Sequence, residues 1–313
     1  MVKTAVLFET YIRDDYARQV FDALKIAKPQ KLYFYSNKAR EDRPDEVRRN
    51  ELIRSWVNEI DWDCDLHTFF RDEYVDQYTS LSGAINWVFD NEEQAIILED
   101  DCVPSLAFFD YCEKMLEKYK DEPRVWMISG DNYLEDYNPH GYDIMFTKDM
   151  QIYGWASWRD RWKKIDWDYD FVSDYEKCDF YDSFFSTKQQ RKYYKKLYTS
   201  QHEFIKRTHC WDYVFVNTGW HHNALAVFPA RNLVENIGLD GVHAKQNKKG
   251  PYNKEVTYKP ETYKITRIPP FFQDDYLFEN KVFFAVRYKQ TMLRYRIINK
   301  ILRIFYKLLS FSR

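Results

Sequence analysis

A chain that alternates short apolar runs with amphipathic stretches has few ways to bury both, and residues 5–98 follow this alternation throughout. Residues 5–8, 32–35, 65–70 and 95–98 read as strands, and residues 15–26, 46–59 and 80–90 as the helices between them. In the first helix the apolar positions are Val20, Phe21, Leu24 and Ile26. A helix between two strands returns the chain to the same end of the sheet, so the strands pair in parallel. The expected class is therefore α/β, with a doubly wound, Rossmann-like sheet. Ligands in such sheets collect at the carboxyl ends of the strands, where the connecting loops open. With 313 residues the chain buries a full core without disulfides or metals.

Past a further strand at 125–129 the pattern is less regular and more aromatic. Helices are expected at 187–206 and 210–220, and a strand at 225–228. Residues 246–262 are polar and contain Gly250-Pro251; they read as a mobile loop, a candidate lid. The last twenty residues repeat Ile297, Ile298, Ile301, Leu302, Ile304, Phe305, Leu308 and Leu309 at helical spacing. Arg296, Lys300, Arg303 and Lys307 form a second stripe. Such a basic amphipathic helix either lies in an anionic membrane interface or packs on its own domain or a partner.

Composition removes several function classes. A formal net charge of −2 does not fit a general nucleic-acid binder, and no nucleic-acid partner is expected. Cysteines 64, 102, 112, 178 and 210 are odd in number and lack CxxC spacing, which fits a reducing compartment. The N-terminal apolar run is too short for a signal peptide, and no segment reaches the length of a bilayer span. A cytoplasmic protein is expected, in solution or peripheral on the inner face of the cell membrane. Aromatic residues make up 19% of the chain, which suits stacking on sugar rings and equally suits filling a core.

The sharpest local feature is Glu99-Asp100-Asp101, delivered by the apolar run Ile96-Ile97-Leu98 to what is expected to be an exposed turn. Three adjacent acids repel one another unless a cation or solvent compensates, and a hard divalent ion with diphosphate oxygens is the natural partner. The bland reading is a helix N-terminus decorated with acids, since Pro104 and an aromatic helix follow. Asp212, after Trp211, is either a first-turn dipole partner or a general base for a hydroxyl. His243 follows Gly238-Leu239-Asp240-Gly241-Val242 and is either a surface histidine or a ligand. Arg13 follows the first strand, within reach of a diphosphate or base. The aromatics of Tyr153-Gly154-Trp155-Ala156-Ser157-Trp158 either line an acceptor cleft or pack in the core.

Taken together, residues 96–104 with Phe108-Phe109, 125–132, 154–162 and Trp211-Asp212 resemble the GT-A nucleotide-diphospho-sugar transferases. The nearer resemblance is to the bacterial HlpA-like (hemolytic protein-like) sugar transferases, and a more distant one is to N-acetylglucosaminyltransferase I, an inverting enzyme. It spans residues from about 4 to about 245. It implies a GT-A type central mixed sheet flanked by helices. Residues 1–135 would form a nucleotide-sugar-binding half and 136–290 an acceptor-binding half of one domain, with 291–313 the amphipathic helix. Asp101 would hold Mn²⁺ or Mg²⁺, with His243 a further contact to metal or diphosphate. Asp100 would face the ribose or donor sugar, with Glu99 in support, and Arg13 would contact the nucleotide. Asp212 would be the base, and Trp155, Trp158 and Trp211 acceptor-side platforms.

Two departures from the family bear on the nucleotide. Asn37 stands where the family often has the aspartate that reads uracil. After Arg71, the chain reads Asp72-Glu73-Tyr74-Val75-Asp76-Gln77-Tyr78 in place of an asparagine and glycines, so a reshaped nucleotide pocket around Asn37 and Arg71 is expected. The implied activity moves a sugar from a nucleotide-diphosphate donor to a glycan or lipid-linked acceptor in bacterial surface polysaccharide synthesis. Two alternatives are a non-catalytic glycan-binding protein and a nucleotidyltransferase that makes sugar nucleotides. Residues 8–13 contain no glycine, which counts against the nucleotidyltransferase.

Overall fold

A computed structural model describes residues 2–134, 137–238, 256 and 260–288. The strand–helix alternation of the N-terminal third forms as expected. It comprises β1 (Ala5–Thr10), α1 (Asp14–Ala27), β2 (Lys31–Ser36), α2 (Pro44–Ser55), β3 (Asp65–Phe70), α3 (Gln77–Asn91) and β4 (Gln94–Glu99). A short β5 (Cys102–Pro104), α4 (Leu106–Tyr119) and β6 (Val125–Ser129) follow. The irregular aromatic region resolves into β7 (Ile144–Thr147), β8 (Trp155–Trp158) and three short helices, α5 (Arg159–Trp162), α6 (Val172–Lys177) and α7 (Phe180–Phe184). The long α8 (Lys188–Thr208), α9 (Trp211–His221), β9 (Leu225–Pro229), β10 (Val234–Asn236) and α10 (Tyr276–Val282) complete it, and a π turn continues α10 over Phe283–Tyr288.

Eight strands make one mixed sheet in the order β3-β2-β1-β4-β8-β6-β9-β7, flanked by helices, and β5 pairs with β10 in a second, two-stranded sheet. The first four strands are parallel, while β8 runs antiparallel to both of its neighbours. The expected α/β class with a central mixed sheet is borne out. The loop expected at 246–262 lies almost wholly, and the helix expected at 291–313 wholly, outside the described residues.

Side chains alternate across each strand, and this period of two divides the core. Leu7, Tyr33, Tyr35 and Ile97 face a core shared with Trp126, Trp155 and Trp211. Val6, Phe8, Phe34, Ile96 and Leu98 face another, shared with Phe21, Phe108 and Tyr111. In α1, Ala17, Val20, Phe21, Leu24 and Ala27 are buried on one stripe. The helix ends where Lys28 turns left-handed at φ 49°, its N–H donating to Leu24 O. A capping box between Thr187 and Gln190 starts α8.

Candidate functional site

The carboxyl ends of β1 and β4 lie side by side, with Glu9 and Glu99 as register partners. Beyond Glu99 the chain turns sharply through Asp100 and Asp101 into β5. The turn is not exposed as expected: Asp100 is 4% and Asp101 9% exposed. Burial is tolerated because Arg13, the residue before α1, reaches both acids. Its Nη1 donates to Asp101 Oδ2 at 2.7 Å, and its Nη2 pairs with Asp100 Oδ1. A planar guanidinium suits this fork across two carboxylates, where an ammonium would reach one.

The fork leaves the carboxyls unequal. Burial pushes Glu99 up to about 8, with repulsion from Asp101 adding to it and Arg13 opposing it. Burial also raises Asp100 to about 6, against the pull of Arg13. Glu9 is 2% exposed, neither carboxyl oxygen has a hydrogen-bond partner among the described residues, and burial holds it well above the usual carboxylate range. The sequence reading missed it, although a single acid ending the apolar run Ala5-Val6-Leu7-Phe8 is a visible anomaly.

A second segment closes on the acids from the other side. Antiparallel pairing of β10 with β5 places Asn236 opposite Cys102. Ile237 N then donates to Asp101 O at 2.8 Å. Gly238 is pressed so close that a Cβ there would sit 1.9 Å from Asp101 Oδ2 and 3.2 Å from Arg13 Nη1. Only a residue without a side chain fits this approach. His243 lies outside the described residues.

On the other flank, Asn37 and Arg71 follow the ends of β2 and β3. Asn37 Nδ2 donates to Val75 O at 2.8 Å, and its Oδ1 accepts from Lys38 N at 3.0 Å. Asn37 thus holds down the segment that replaces the glycines of the resembled family. Arg71 Nε donates to Tyr35 Oη at 2.5 Å, and its guanidinium lies over the rings of Tyr35 and Phe69. Tyr11 is tied to Glu46 at 3.0 Å and packs near Tyr74.

Asp212 sits in the first turn of α9, where it accepts from Cys210 Sγ at 3.0 Å. Burial raises its pKa, and its charge makes a small contribution to the raised pKa of Glu99. Asp131 was not singled out from the sequence. It accepts from Ser129 Oγ at 2.7 Å, and burial raises it to about 7 against the hydrogen bonds from Ser129 and Tyr133. Its signal was the Ile128-Ser129-Gly130-Asp131-Asn132 segment, which had contributed only to the resemblance.

The three tryptophans are not platforms. Trp155, Trp158 and Trp211 are 0%, 4% and 2% exposed. β8 sends Trp155 into one core and Ala156 and Trp158 into the other, so both of its faces are interior. Trp155 stacks on Trp211 at 5.8 Å, and Trp158 lies under the Arg161 guanidinium at 4.6 Å. Their faces meet protein, leaving none for a sugar. Among the described residues no three His, Cys, Asp or Glu side chains converge to cage a metal.

No protein-family model matches the chain, and no curated protein matches its sequence. Solved structures resemble parts of it. The mannosyltransferase PcManGT from Pyrobaculum calidifontis, in complex with GDP-Man and Mn²⁺, is 17% identical with a TM-score of 0.36, over 52% of this chain. The chain spans 46% of that enzyme's length. UDP-glucose pyrophosphorylase from Acinetobacter baumanii is 9% identical with a TM-score of 0.32, over 53% of this chain and 77% of that one. The 4-diphosphocytidyl-2C-methyl-D-erythritol synthase from Anaerococcus prevotii is 10% identical with a TM-score of 0.30, over 63% and 82%.

Proposed function

We propose that this protein is a metal-dependent glycosyltransferase of the GT-A type, inverting at the anomeric carbon and taking a nucleotide-diphosphate sugar as donor. One observation carries the reading: a guanidinium forks across two buried aspartates at the carboxyl ends of adjacent parallel strands. A diphosphate needs both components, a cation to bind its oxygens and carboxylates to hold a second cation beside them.

The donor chemistry of the site fits that second cation. Among the described residues, Asp101 Oδ1 accepts only from the Cys102 thiol, a weak donor, at 3.5 Å. A hard divalent ion held by one carboxylate completes its shell with substrate oxygens and water, so no cage of protein side chains is required. Mn²⁺ or Mg²⁺ bound there supplies Lewis-acid stabilisation of the departing diphosphate. Arg13 contacts the same diphosphate, Asp100 and Glu99 face the ribose or sugar, and Asn37 and Arg71 shape the nucleotide end. His243 would add a contact to the metal or the diphosphate.

Asp212 takes the proton from the acceptor hydroxyl. Its raised pKa brings it nearer the operating pH, where a general base works best. The acceptor is a glycan or lipid-linked glycan of a bacterial surface polysaccharide, and the segment 294–313 keeps the protein at the inner face of the membrane.

Release of nucleoside diphosphate from a panel of nucleotide sugars, with Mn²⁺ and with EDTA, tests this. Hydrolysis of one donor that needs the metal, and that falls on the order of 100-fold or more in Asp101→Ala, is the expected result. No release from any donor, with no heat of nucleotide binding, would sink the reading.

A further inference from the structure

Helix α8 is unlike the other surface helices in its charge. It buries Gln190, Tyr194, Tyr198 and Ile205. On the outward side Lys188, Lys192, Lys195, Lys196 and Arg207 are all exposed, and none has an ion-pair partner among the described residues. Only Arg191 and Lys206 are paired, with Asp182 and Asp170. Over its whole length the helix carries seven basic residues and one acid, Glu203. Helix α2 shows the ordinary alternative, with three acids and three bases, and pairs such as Arg43 with Glu46.

Lys188, Lys192 and Lys196 follow one another at i, i+4, a spacing at which like charges destabilise a helix. Solubility alone is served better by mixed signs. The chain as a whole is slightly acidic, so this face is a local concentration of positive charge. Apolar surface adjoins it. Tyr193 and Tyr194 of α8 pack on Phe283, at 5.5 and 5.9 Å, and α10 with the π turn that supplies Phe283 leaves Tyr276, Leu277 and Phe284 exposed. Further along the helix α8 meets the site: Tyr198 packs on Tyr213, the residue after Asp212, and Phe204 packs on Tyr78.

From this arrangement we infer that the lysine face of α8 docks on an anionic lipid surface. Unpaired lysines beside exposed aromatic and aliphatic side chains match such a surface in both of its parts, phosphate outside and hydrocarbon beneath. A soluble polyanion would use the lysines and leave the apolar edge unused. Docking through α8 sets the membrane one helix away from Asp212. It is a second basic surface, separate in sequence from 294–313, and the binding does not depend on the transfer chemistry.

Sedimentation of the full chain with vesicles tests it, using phosphatidylcholine alone and phosphatidylcholine mixed with phosphatidylglycerol. Binding is expected only with phosphatidylglycerol, and it weakens as salt is raised. Replacing all four of Lys188, Lys192, Lys195 and Lys196 by Gln is expected to lower partitioning roughly 100-fold or more, while replacing them by Arg preserves it. An unchanged thermal melt in the Gln variant shows that the fold is intact. Equal partitioning of wild type and Gln variant would assign membrane binding elsewhere and overturn the inference. So would the absence of vesicle binding in a wild type that binds heparin.

Discussion

Arg13 is the residue on which the acid site depends. Removing one partner of a buried pair leaves the other charge uncompensated, and here two carboxylates lose the same cation. Arg13→Ala is expected to lower stability by about 2–4 kcal/mol in urea unfolding, toward the low side because the arginine is itself only half-buried. Arg13→Lys should recover part of this, since an ammonium pairs with one carboxylate and cannot fork. The tryptophans give the contrasting case. Trp155→Ala and Trp211→Ala are each expected to cost about 3–5 kcal/mol by leaving cavities in a close-packed cluster. A variant with unchanged stability and a weakened acceptor would instead restore them as platforms. The acid triplet was legible because three acids after Ile96-Ile97-Leu98 have no packing explanation. The burial of the tryptophans was not, since an aromatic residue reads the same way in a core as in a cleft.

At the scale of elements, legibility followed periodicity. The strands at Asp65–Phe70 and Val125–Ser129 have the expected bounds, and α8 differs from its expected range by a residue or two at each end. β5, β7 and β8 were missed. They are three or four residues long, too short for a period of two to register. The placement of β10 against β5 could not be read either, because it joins segments more than a hundred residues apart. Two glycines show what that long-range packing demands. A Cβ on Gly130 would lie 2.4 Å from Phe108 Cε2 and 2.6 Å from Val234 Cγ2, which are core side chains with little room to move. Gly130→Ala is therefore expected to cost about 1–3 kcal/mol in chemical unfolding. Gly238→Ala would strike Asp101 in place of core atoms. Its expected effect is loss of nucleotide binding by calorimetry, with little change in melting temperature.

The whole molecule holds more protons folded than unfolded in one pH window. Asp131, raised to about 7 from an ordinary 3.8, and Glu279, raised to about 7 from 4.5, are both shifted chiefly by burial. Glu279 fastens α10 to the sheet by accepting from Thr147 Oγ1 at 2.9 Å, and Arg287 continues the anchor by donating to Asp149 Oδ1 at 2.6 Å. Both acids are neutral in both states below about pH 3, so their burial costs least there. From about pH 4 to 7 the unfolded chain releases these protons first, so stability falls as pH rises. A decline of at least about 2 kcal/mol between pH 5 and 8 is expected in urea titrations, and an Asp131→Asn, Glu279→Gln double variant should reduce it, the remainder belonging to the buried acids Glu9, Glu99, Asp100 and Asp212.

The strand order also sets a schedule for synthesis. β1 to β4 pair among themselves and are complete once residue 99 has left the ribosome, but the outer edge of β4 belongs to β8. Until residues 155–158 emerge, Ala95, Ile96 and Ile97 present an open apolar edge ready to pair with any extended chain. The edge that leads directly into the three acids thus stays unpaired until β8 has been made. A chaperone that shields extended segments would act on that interval, and a pause in translation between the two strands would lengthen it.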